Sequence, residues 1–353
     1  MSPPRFVSVD ALRGLTVAAM LLVNDPGDWS HVFAPLLHSE WHGCTPTDLI
    51  FPMFLFVVGV SVALGLAPRA ESGERRDALT RDVLLRALRI VALGVCLHAL
   101  AWWWLDRAWF RPWGVLQRIG LCYAAVALCA LWLRPRAQWG VCIALLVAYA
   151  GLLAWGGVAP FDNPASRLDT ALLGPMAYQY DVVTGRGHDP EGLLSTFPAI
   201  ATALLGLRAG VWLRAGDTLR LWRASVLLLS AGALLALWQP MNKNLWSPAY
   251  ALWTGGASMV ALAAAYIAFD RRLWPPLGRA LGLNAIVVYA GSSVMVYALA
   301  ATGWGDAIYR NVFVAAMHGL DPRWPSLLYA VAFVAVWWLI AVAMRRIGWR
   351  VRL

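Results

Sequence analysis

The chain has 353 residues, of which 60% are hydrophobic and 14% are charged, with a formal net charge of +10. This composition is too apolar for a soluble domain and predicts a protein whose solvent is the lipid bilayer. The basic residues stand in short groups between apolar runs, which argues against a nucleic-acid partner. Of the five cysteines only Cys44 lies in a polar loop, so no disulfide framework or zinc spacing is present.

Apolar runs of about 20 residues predict transmembrane helices, because a helix of that length spans the hydrocarbon core. We place them at 7–24, 48–67, 84–104, 114–133, 138–156, 193–212, 221–238, 249–269, 280–300 and 325–344. The first is expected to be retained and not cleaved as a signal peptide, because Asp10 and Arg13 interrupt it. The sequence therefore predicts an all-α polytopic membrane protein, a bundle of about ten helices forming a single domain over residues 1–353.

The distribution of arginine among the loops predicts the orientation of this bundle. Loops after even-numbered helices, and the C-terminal end, carry most of the arginines, whereas loops after odd-numbered helices carry few. Because Lys and Arg accumulate in cytoplasmic loops, both termini are predicted to face the cytoplasm. The two longest loops, 25–47 and 157–192, then face the periplasm and hold unusual polar clusters.

The first of these clusters runs from His38 to Asp48, directly before the second helix. Thr45 and Asp48 have the spacing of a helix N-cap and its capping-box acid, so structure alone can explain them. His38 and His42 have no such explanation. An imidazole can act as a general base toward an amine or a hydroxyl, or accept an acyl group itself.

Several alternatives remain open for this cluster. Either Asp48 or Glu40 could orient the imidazole. His38 and His42 are four residues apart and would share a helix face, as zinc ligands do, but no third ligand is evident and no metal is expected. Both histidines could also be interfacial residues without a chemical role.

Two more polar clusters lie in loops on the same side. Asp189 is predicted to be the N-cap of the sixth helix, and Glu191 either favours the positive helix end or binds substrate. Lys243 is the only lysine of the chain and stands between Asn242 and Asn244. It is either an interface anchor or part of a compact site for an anion or a sugar hydroxyl.

Ionisable and amide side chains inside apolar segments are costly and usually functional. The candidates are Asp10, Arg13, Asn24, Gln117, Arg118 and Asn284. Asp10 and Arg13 are three residues apart and can be explained as a pair at the cytoplasmic interface. Gln117 and Arg118 begin the fourth helix on the side with few cations, where they could receive a phosphate or polarise a carbonyl.

Seven motifs follow one another in order over nearly the whole chain. They are Ser8–Gly14, Val23–Asn24, His38–Pro52, Gly114–Gly120, Asp189–Leu194, Asn242–Ser247 and Gly282–Asn284. In this order they resemble the heparan-α-glucosaminide N-acetyltransferase family and its bacterial relatives. The resemblance implies transfer of acetyl from acetyl-CoA to the amine of a terminal glucosamine on the far side of the membrane, here the bacterial inner membrane.

The resemblance also implies roles for single residues. His38 would accept acetyl or deprotonate the glucosamine amine, Asn24 would hold the carbonyl oxygen, and Asp48 completes the predicted catalytic set. Residues predicted to bind substrate or donor are Trp41, His42, Gln117, Arg118, Glu191, Asn242, Lys243, Asn244, Trp246 and Asn284. His42 replaces an asparagine that is common in the family, so the acceptor is left open among free glucosamine, amino-sugar fragments of peptidoglycan and another glycan.

Two other functions agree with the same sequence. A transporter of N-acetylglucosamine or a related sugar would also use about ten helices with buried Asn, Gln and Arg. An O-acyltransferase of a surface polysaccharide would use the same histidine, since both reactions need a base and an oxyanion donor. The leading prediction is the acetyl-CoA-dependent N-acetyltransferase, with a covalent or a direct transfer and a homodimer both left open.

Overall fold

The computed structural model describes residues 6–351, which are mostly helical. The helices are α1 Val7–Asn24, α2 Ile50–Glu71, α3 Arg76–Trp104, α4 Val115–Trp132, α5 Pro135–Gly156, α6 Pro164–Leu173, α7 Leu193–Arg214, α8 Thr218–Leu235, α9 Pro248–Ala265, α10 Arg279–Leu283, α11 Ala285–Thr302, α12 Trp304–Ile308 and α13 Arg323–Arg346. Within the described residues, ten helices are long and apolar enough to span a membrane. The prediction of an all-α polytopic membrane protein is therefore confirmed.

The predicted spans agree with the observed helices except at some ends. The third helix begins at Arg76, eight residues before the predicted start at 84, because its first two turns are amphipathic and extend beyond the apolar run. The ninth span begins at Ala285, after the predicted 280. There Asn284 leaves the helical conformation, with φ of −127° and ψ of 34°, so residues 279–283 form the separate short helix α10.

Two helices, α2 and α7, pack along each other at the centre of the bundle. Glycine makes this approach close enough for backbone contact. A Cβ atom on Gly59 would lie 1.9 Å from the Ala203 carbonyl oxygen, and one on Gly206 would lie 1.9 Å from the Phe56 carbonyl oxygen. Small residues at a crossing let membrane helices gain van der Waals contact, since lipid offers no hydrophobic drive between them.

The start of α1 is held by a residue from far along the chain. The carboxylate of Asp270 accepts hydrogen bonds from the backbone N–H groups of Val7 (2.8 Å) and Ser8 (3.2 Å). Asp270 belongs to the π-helical segment Tyr266–Arg271, which continues α9. A carboxylate at this position satisfies free N–H groups and favours the positive helix end.

The segment 157–192 contains secondary structure of its own. Besides α6, it forms an antiparallel hairpin of β1 Gln179–Asp181 and β2 Arg186–His188, in which Tyr180 pairs with Gly187. These elements lie outside the bundle and pack onto the N-terminal end of α7 through α6. The segment therefore covers one end of the bundle.

The two ends of the bundle differ, and we name them by their connections. The loop-rich face comprises residues 25–49, 105–114, 157–192, 236–247 and 303–322. The arginine-rich face comprises residues 72–75, 133–134, 215–217, 266–284 and 347–351. Which face is cytoplasmic stays a prediction from the arginine distribution.

Candidate active site

His38 and Asp48 form a pair on the loop-rich face. His38 Nδ1 lies 2.7 Å from Asp48 Oδ1, and the imidazole is 42% exposed while the Asp48 side chain is fully buried. The other carboxylate oxygen accepts from Ser39 N (3.1 Å), Thr45 N (2.9 Å) and Thr45 Oγ1 (3.0 Å). A carboxylate held in this way directs the Nδ1–H tautomer and leaves Nε2 as the basic nitrogen.

The local sequence explains why Asp48 is fixed. The predicted role of Thr45 as the N-cap of the second helix is wrong, because α2 begins at Ile50 after a 3-10 turn and the Thr45 hydroxyl bonds to Leu37 O at 2.8 Å. The acid half of the predicted capping box does form, since Asp48 accepts from the Thr45 N–H. From α9, the Tyr250 hydroxyl donates to the Asp48 carbonyl oxygen at 2.6 Å.

Lys243 completes this group. Its Nζ lies 2.9 Å from Nε2 and 3.1 Å from Nδ1 of His38. Lys243 is half-buried, and removal of the ammonium from water lowers its pKa, against the pull of the Glu191 and Asp48 carboxylates. The structure therefore brings His38, Asp48 and Lys243 together, and we call these three residues the His38 cluster.

The loop that carries Lys243 is tied to the loop that carries His38. Gly43 N donates to Met241 O at 2.7 Å, and His42 Nδ1 lies 3.3 Å from Asn242 Nδ2. Asn242 is fully buried and its side-chain oxygen accepts from Leu245 N at 2.8 Å. Partial burial lowers the pKa of His42. These bonds fix the position of Lys243 relative to the imidazole.

Trp41 borders the His38 cluster on the side of the 157–192 segment. Its indole N–H donates to Val158 O at 2.8 Å, and its ring meets the edge of the His188 ring at 5.2 Å between centroids. Residues 37–46 form no helix, so His38 and His42 do not share a helix face. Among residues 6–351, no three His, Cys, Asp or Glu side chains are grouped as a metal site.

A buried ion network that was not predicted from the sequence lies beside the His38 cluster. Arg111 donates to both oxygens of Asp189 (2.9 and 2.6 Å) and to Glu191 at 2.6 Å. Asp189 is thus not the N-cap of the sixth predicted helix, because α7 begins at Leu193 and Gly192 precedes it. The one available signal was that Arg111 is among the few cations of the loop-rich face.

Burial and charge act against each other in this network. Burial raises the pKa of Asp189, and the two bonds from Arg111 only partly offset it. Burial also opposes ionisation of Glu191, but the charges of Arg111, Arg118 and Lys243 keep its pKa below the usual range. The Glu191 carboxylate therefore stays ionised close to the His38 cluster.

Arg118 and Gln117 lie at the start of α4, as predicted, and both are buried. Arg118 Nη2 donates to Gly192 O at 3.1 Å and to the Ser195 hydroxyl, whereas its Nε and Nη1 have no hydrogen-bond partner in residues 6–351. Gln117 Oε1 likewise has no hydrogen-bond partner in residues 6–351. Unused donors on a buried guanidinium suit a carbonyl or phosphate oxygen.

Trp246 packs against Arg118. The guanidinium carbon lies 5.2 Å from the indole centroid, and the indole N–H donates to Thr202 Oγ1 at 3.1 Å. Trp246 has φ of +51°, a left-handed conformation that is strained for a bulky residue. The strained backbone sets the fully buried indole against Arg118 directly before Ser247, whose side chain caps α9.

Another buried polar group, also missed by the sequence analysis, supports Trp41. His188 Nδ1 lies 2.9 Å from Ser166 Oγ and 3.8 Å from Asp169 Oδ2. Burial lowers the pKa of His188 to about 4 and raises the pKa of Asp169 to about 7. His188 is therefore neutral at physiological pH, as expected for an imidazole packed against an indole.

The remaining predicted residues do not all join this site. Asn24 is exposed at the end of α1, and no hydrogen bond joins it to His38 in the described part of the chain. Asn244 is half-buried next to Lys243. Asn284 lies at the arginine-rich face, where its amide bonds to the backbone of Trp349 (3.1 Å) and Val351 (3.2 Å).

Asn284 lines a cavity of about 360 Å³ that reaches inward from the arginine-rich face. Arg69 and Arg86 line it, and it follows α2 as far as Phe54. These positions on α2 are fifteen residues apart, or about 22 Å along the helix. Because Ile119 also lines the cavity, its inner end lies next to the Gln117–Arg118 pair. The cavity thus extends from the arginine-rich face into the bundle, and its lining does not include the residues of the His38 cluster.

The fold and its site define a polytopic membrane protein with an oriented imidazole at one face and a cavity lined by arginines that extends inward from the other. Residues 5–230 match the family model "Heparan-alpha-glucosaminide N-acetyltransferase, catalytic". The chain therefore belongs to the heparan-alpha-glucosaminide N-acetyltransferase family, and the resemblance seen in its motifs is confirmed.

The chain is also similar to two curated members of this family. It is 30% identical to heparan-alpha-glucosaminide N-acetyltransferase of Homo sapiens over 360 residues, covering 83% of this chain and 53% of that protein. Against the Mus musculus protein of that name the identity is 28% over 362 residues, covering 83% and 54%. The chain spans about half the length of the curated relatives it matches.

Proposed function

We propose that the protein is a membrane acetyltransferase that takes acetyl from acetyl-CoA at the arginine-rich face. It delivers the acetyl group to the amine of a glucosamine-type sugar at the loop-rich face. By the arginine distribution, the loop-rich face is the one away from the cytoplasm, which is the periplasmic face of the bacterial inner membrane that we propose as its location. The observation that carries the proposal is the His38 imidazole, oriented by a fully buried Asp48 and accompanied by an amine.

His38 supplies the base that this reaction needs. An amino sugar is protonated in water, and only its neutral amine attacks a thioester. With Nδ1–H directed to Asp48, Nε2 accepts the proton of the amine or takes the acetyl group first. Lys243 Nζ, 2.9 Å from Nε2, stands where a sugar amine would meet this base.

The cavity supports acetyl-CoA as the donor. Acetyl-CoA carries phosphates at one end and a thioester at the other. Arg69 and Arg86 line the outer part of the cavity and suit phosphate oxygens, while its wall along α2 is largely apolar. Arg118 is buried and directly precedes Ile119 of the cavity wall, and we assign its donors without a partner in residues 6–351 to the thioester carbonyl.

The loop-rich face supports an amino-sugar acceptor. Sugars present an apolar face that packs on indole, and Trp41 borders the His38 cluster. Asn242 and His42 offer hydrogen-bonding groups, and the Glu191 carboxylate favours a cationic amine. Asn24 stays a prediction for the carbonyl-binding residue.

Transfer of labelled acetyl from acetyl-CoA to glucosamine, by protein purified in detergent, tests the proposal. We expect transfer by the wild type and its loss in His38→Ala, because the substitution removes the base. Since the His38 side chain is exposed, its truncation should leave the fold intact. Gel filtration and thermal unfolding of both proteins check that the fold is intact. No transfer to any amino sugar by folded wild-type protein would overturn the proposal.

A further inference from the structure

Lys243 is an amine inside a site built to acetylate amines. It is the single lysine of the whole sequence, in which the other basic residues are arginines. We propose that Lys243 is a self-acetylation site, at which the acetyl group passes to Nζ when no acceptor sugar is bound. The proposal rests on the acetyl transfer of the preceding section, and the experiment below separates failure of one from failure of the other.

The distances place Lys243 within reaction range. Nζ lies 2.9 Å from His38 Nε2, a hydrogen-bond distance at which the imidazole can take the proton of the amine, so an acetyl carbon on or beside Nε2 lies close to Nζ. The loop cannot easily withdraw, because Met241 O accepts from Gly43 N and the buried Asn242 side chain closes the turn. Either an acetyl group on His38 or a thioester beside it would meet Nζ first.

The surroundings of Lys243 also favour its nucleophilic form. A lysine attacks only when it is neutral, and burial lowers the pKa of Lys243. The groups that act on it are His38 and Asp48 from residues 25–49, Glu191 from the 157–192 segment and Arg118 from α4. The two carboxylates oppose the shift, whereas Arg118 adds to it.

The reaction needs no reagent beyond acetyl-CoA. The carbon–sulfur bond of the thioester breaks and an amide bond forms between the acetyl carbon and Lys243 Nζ. The proton that Nζ loses passes to His38 Nε2 and from there to the leaving thiolate. The products are Nε-acetyllysine and the free thiol of CoA, so atoms and charges balance.

Acetylation would change the site in two ways. It removes the positive charge that faces Asp48 and Glu191, and it fills the space beside His38 with an amide that cannot be deprotonated there. The modified protein should therefore transfer acetyl to sugars more slowly. A bound sugar amine competes for the same acetyl group, so the acceptor protects the enzyme from this modification.

The test uses purified full-length protein in detergent with isotopically labelled acetyl-CoA and no sugar. Intact mass should rise by one labelled acetyl group per chain, with release of one equivalent of CoA thiol. Trypsin cuts after Lys243 only when that residue is unmodified, so acetylation yields the uncut peptide Ala224–Arg271. Added glucosamine should slow the appearance of this peptide.

Two variants and one comparison decide the outcome. Lys243→Arg should gain no acetyl group, and His38→Gln should leave Lys243 unmodified, with gel filtration confirming the fold of both. Equal acetylation of Lys243 in wild type and His38→Gln would overturn the proposal, because it would show a reaction independent of the site. An unmodified Lys243 in protein that acetylates glucosamine would overturn this inference alone, whereas absence of both reactions would overturn the proposed function.

Discussion

The two faces of the bundle handle charge in opposite ways. In the site of the loop-rich face, around the His38 cluster and Arg111, the charges are withdrawn from water and paired: the Asp48 and Asp189 side chains are fully buried and Arg111 is only 19% exposed. At the arginine-rich face the ion pairs stand in water, as between Arg69 and Glu74, which are 46% and 38% exposed. Similar residues therefore serve different purposes at the two ends.

Burial decides what each face can do. Two charges removed from water lose solvation free energy, and only a well-aligned ion pair compensates for this loss. A buried network therefore fixes its members in one geometry. Exposed pairs contribute little and can exchange partners. The loop-rich face is thus suited to hold an imidazole at a fixed angle, and the arginine-rich face to receive phosphates that replace existing partners.

The largest effect that tests this comparison is expected for Asp48→Asn. An amide side chain would direct N–H groups at the backbone donors of Ser39 and Thr45, so the orientation of His38 is lost. We expect kcat for acetyl transfer to fall by about 10³-fold, in the range of general-base catalysis. Steady-state kinetics with acetyl-CoA and glucosamine measure this.

Glu40→Gln is the matched control, because Glu40 is the other carboxylate that the sequence offered as a partner of His38. Glu40 is exposed, so its replacement should leave kcat unchanged. A large loss in Glu40→Gln together with an active Asp48→Asn would reverse the assignment.

The next largest effect is expected for Arg111→Gln. Removal of this guanidinium leaves Asp189 and Glu191 buried next to each other without the cation that hydrogen-bonds to both. Breaking a buried pair in this way costs about 3–5 kcal/mol of stability. Thermal unfolding in detergent should show a clear decrease for this variant.

Arg323→Gln serves as the comparison, since its pair with Asp321 is exposed and should be worth less than about 1 kcal/mol. Equal losses in the two variants would mean that burial does not separate the two kinds of ion pair.

The sequence was sufficient for the helices and for one pair of the site. Hydrophobic runs fix the spans, and α1 matches its predicted range 7–24. His38 and Asp48 lie ten residues apart, so their pairing follows from one motif. Lys243 is 205 residues from His38. Their contact depends on how α9 packs beside α2, which no local pattern encodes.

The wrong and missed predictions have the same physical origin as the unpredicted contact between Lys243 and His38. Asn284 was grouped with the site because an amide within an apolar run is costly, but this cost does not say at which end of the bundle the amide lies. Arg111 was not predicted as part of the site, because its partners Asp189 and Glu191 follow 78 and 80 residues later. The cap assigned to Asp189 failed because its carboxylate is taken by that arginine.

A smaller effect is expected for Arg86→Ala at the arginine-rich face. Arg86 lines the cavity and its guanidinium lies 5.0 Å from the Tyr123 ring centroid. A hydrogen bond from a charged group to phosphate is worth about 1.5–3 kcal/mol, so the KM for acetyl-CoA should rise by about tenfold to a hundredfold. The kcat and the KM for glucosamine should stay constant, since the thioester end is not touched.

Arg310→Ala is the control for charge alone. Arg310 is an exposed residue of the loop-rich face, paired with Asp306, and lies outside the cavity lining. A KM for acetyl-CoA that is unchanged in Arg86→Ala, or raised equally in Arg310→Ala, would argue against phosphate binding at this face.

The last effect concerns a buried acid, Asp169, that is not ionised at low pH. Because burial raises the pKa of Asp169 from 3.8 to about 7, the folded state favours its protonated form, and that stabilisation is lost as the pH rises from about 4 to about 7. Asp169→Asn keeps an acceptor for Asp189 N but cannot ionise. One pKa unit corresponds to about 1.4 kcal/mol, so the variant should gain up to about that much relative to the wild type for each pH unit of this interval. His188, whose pKa is lowered to about 4, contributes the opposite slope in both proteins and cancels from the difference. Unfolding temperatures of the two proteins at pH 4.5 and pH 7.5 measure the effect. An equal change in unfolding temperature between these pH values in wild type and Asp169→Asn would show that Asp169 is ionised in the folded protein, as an exposed acid is.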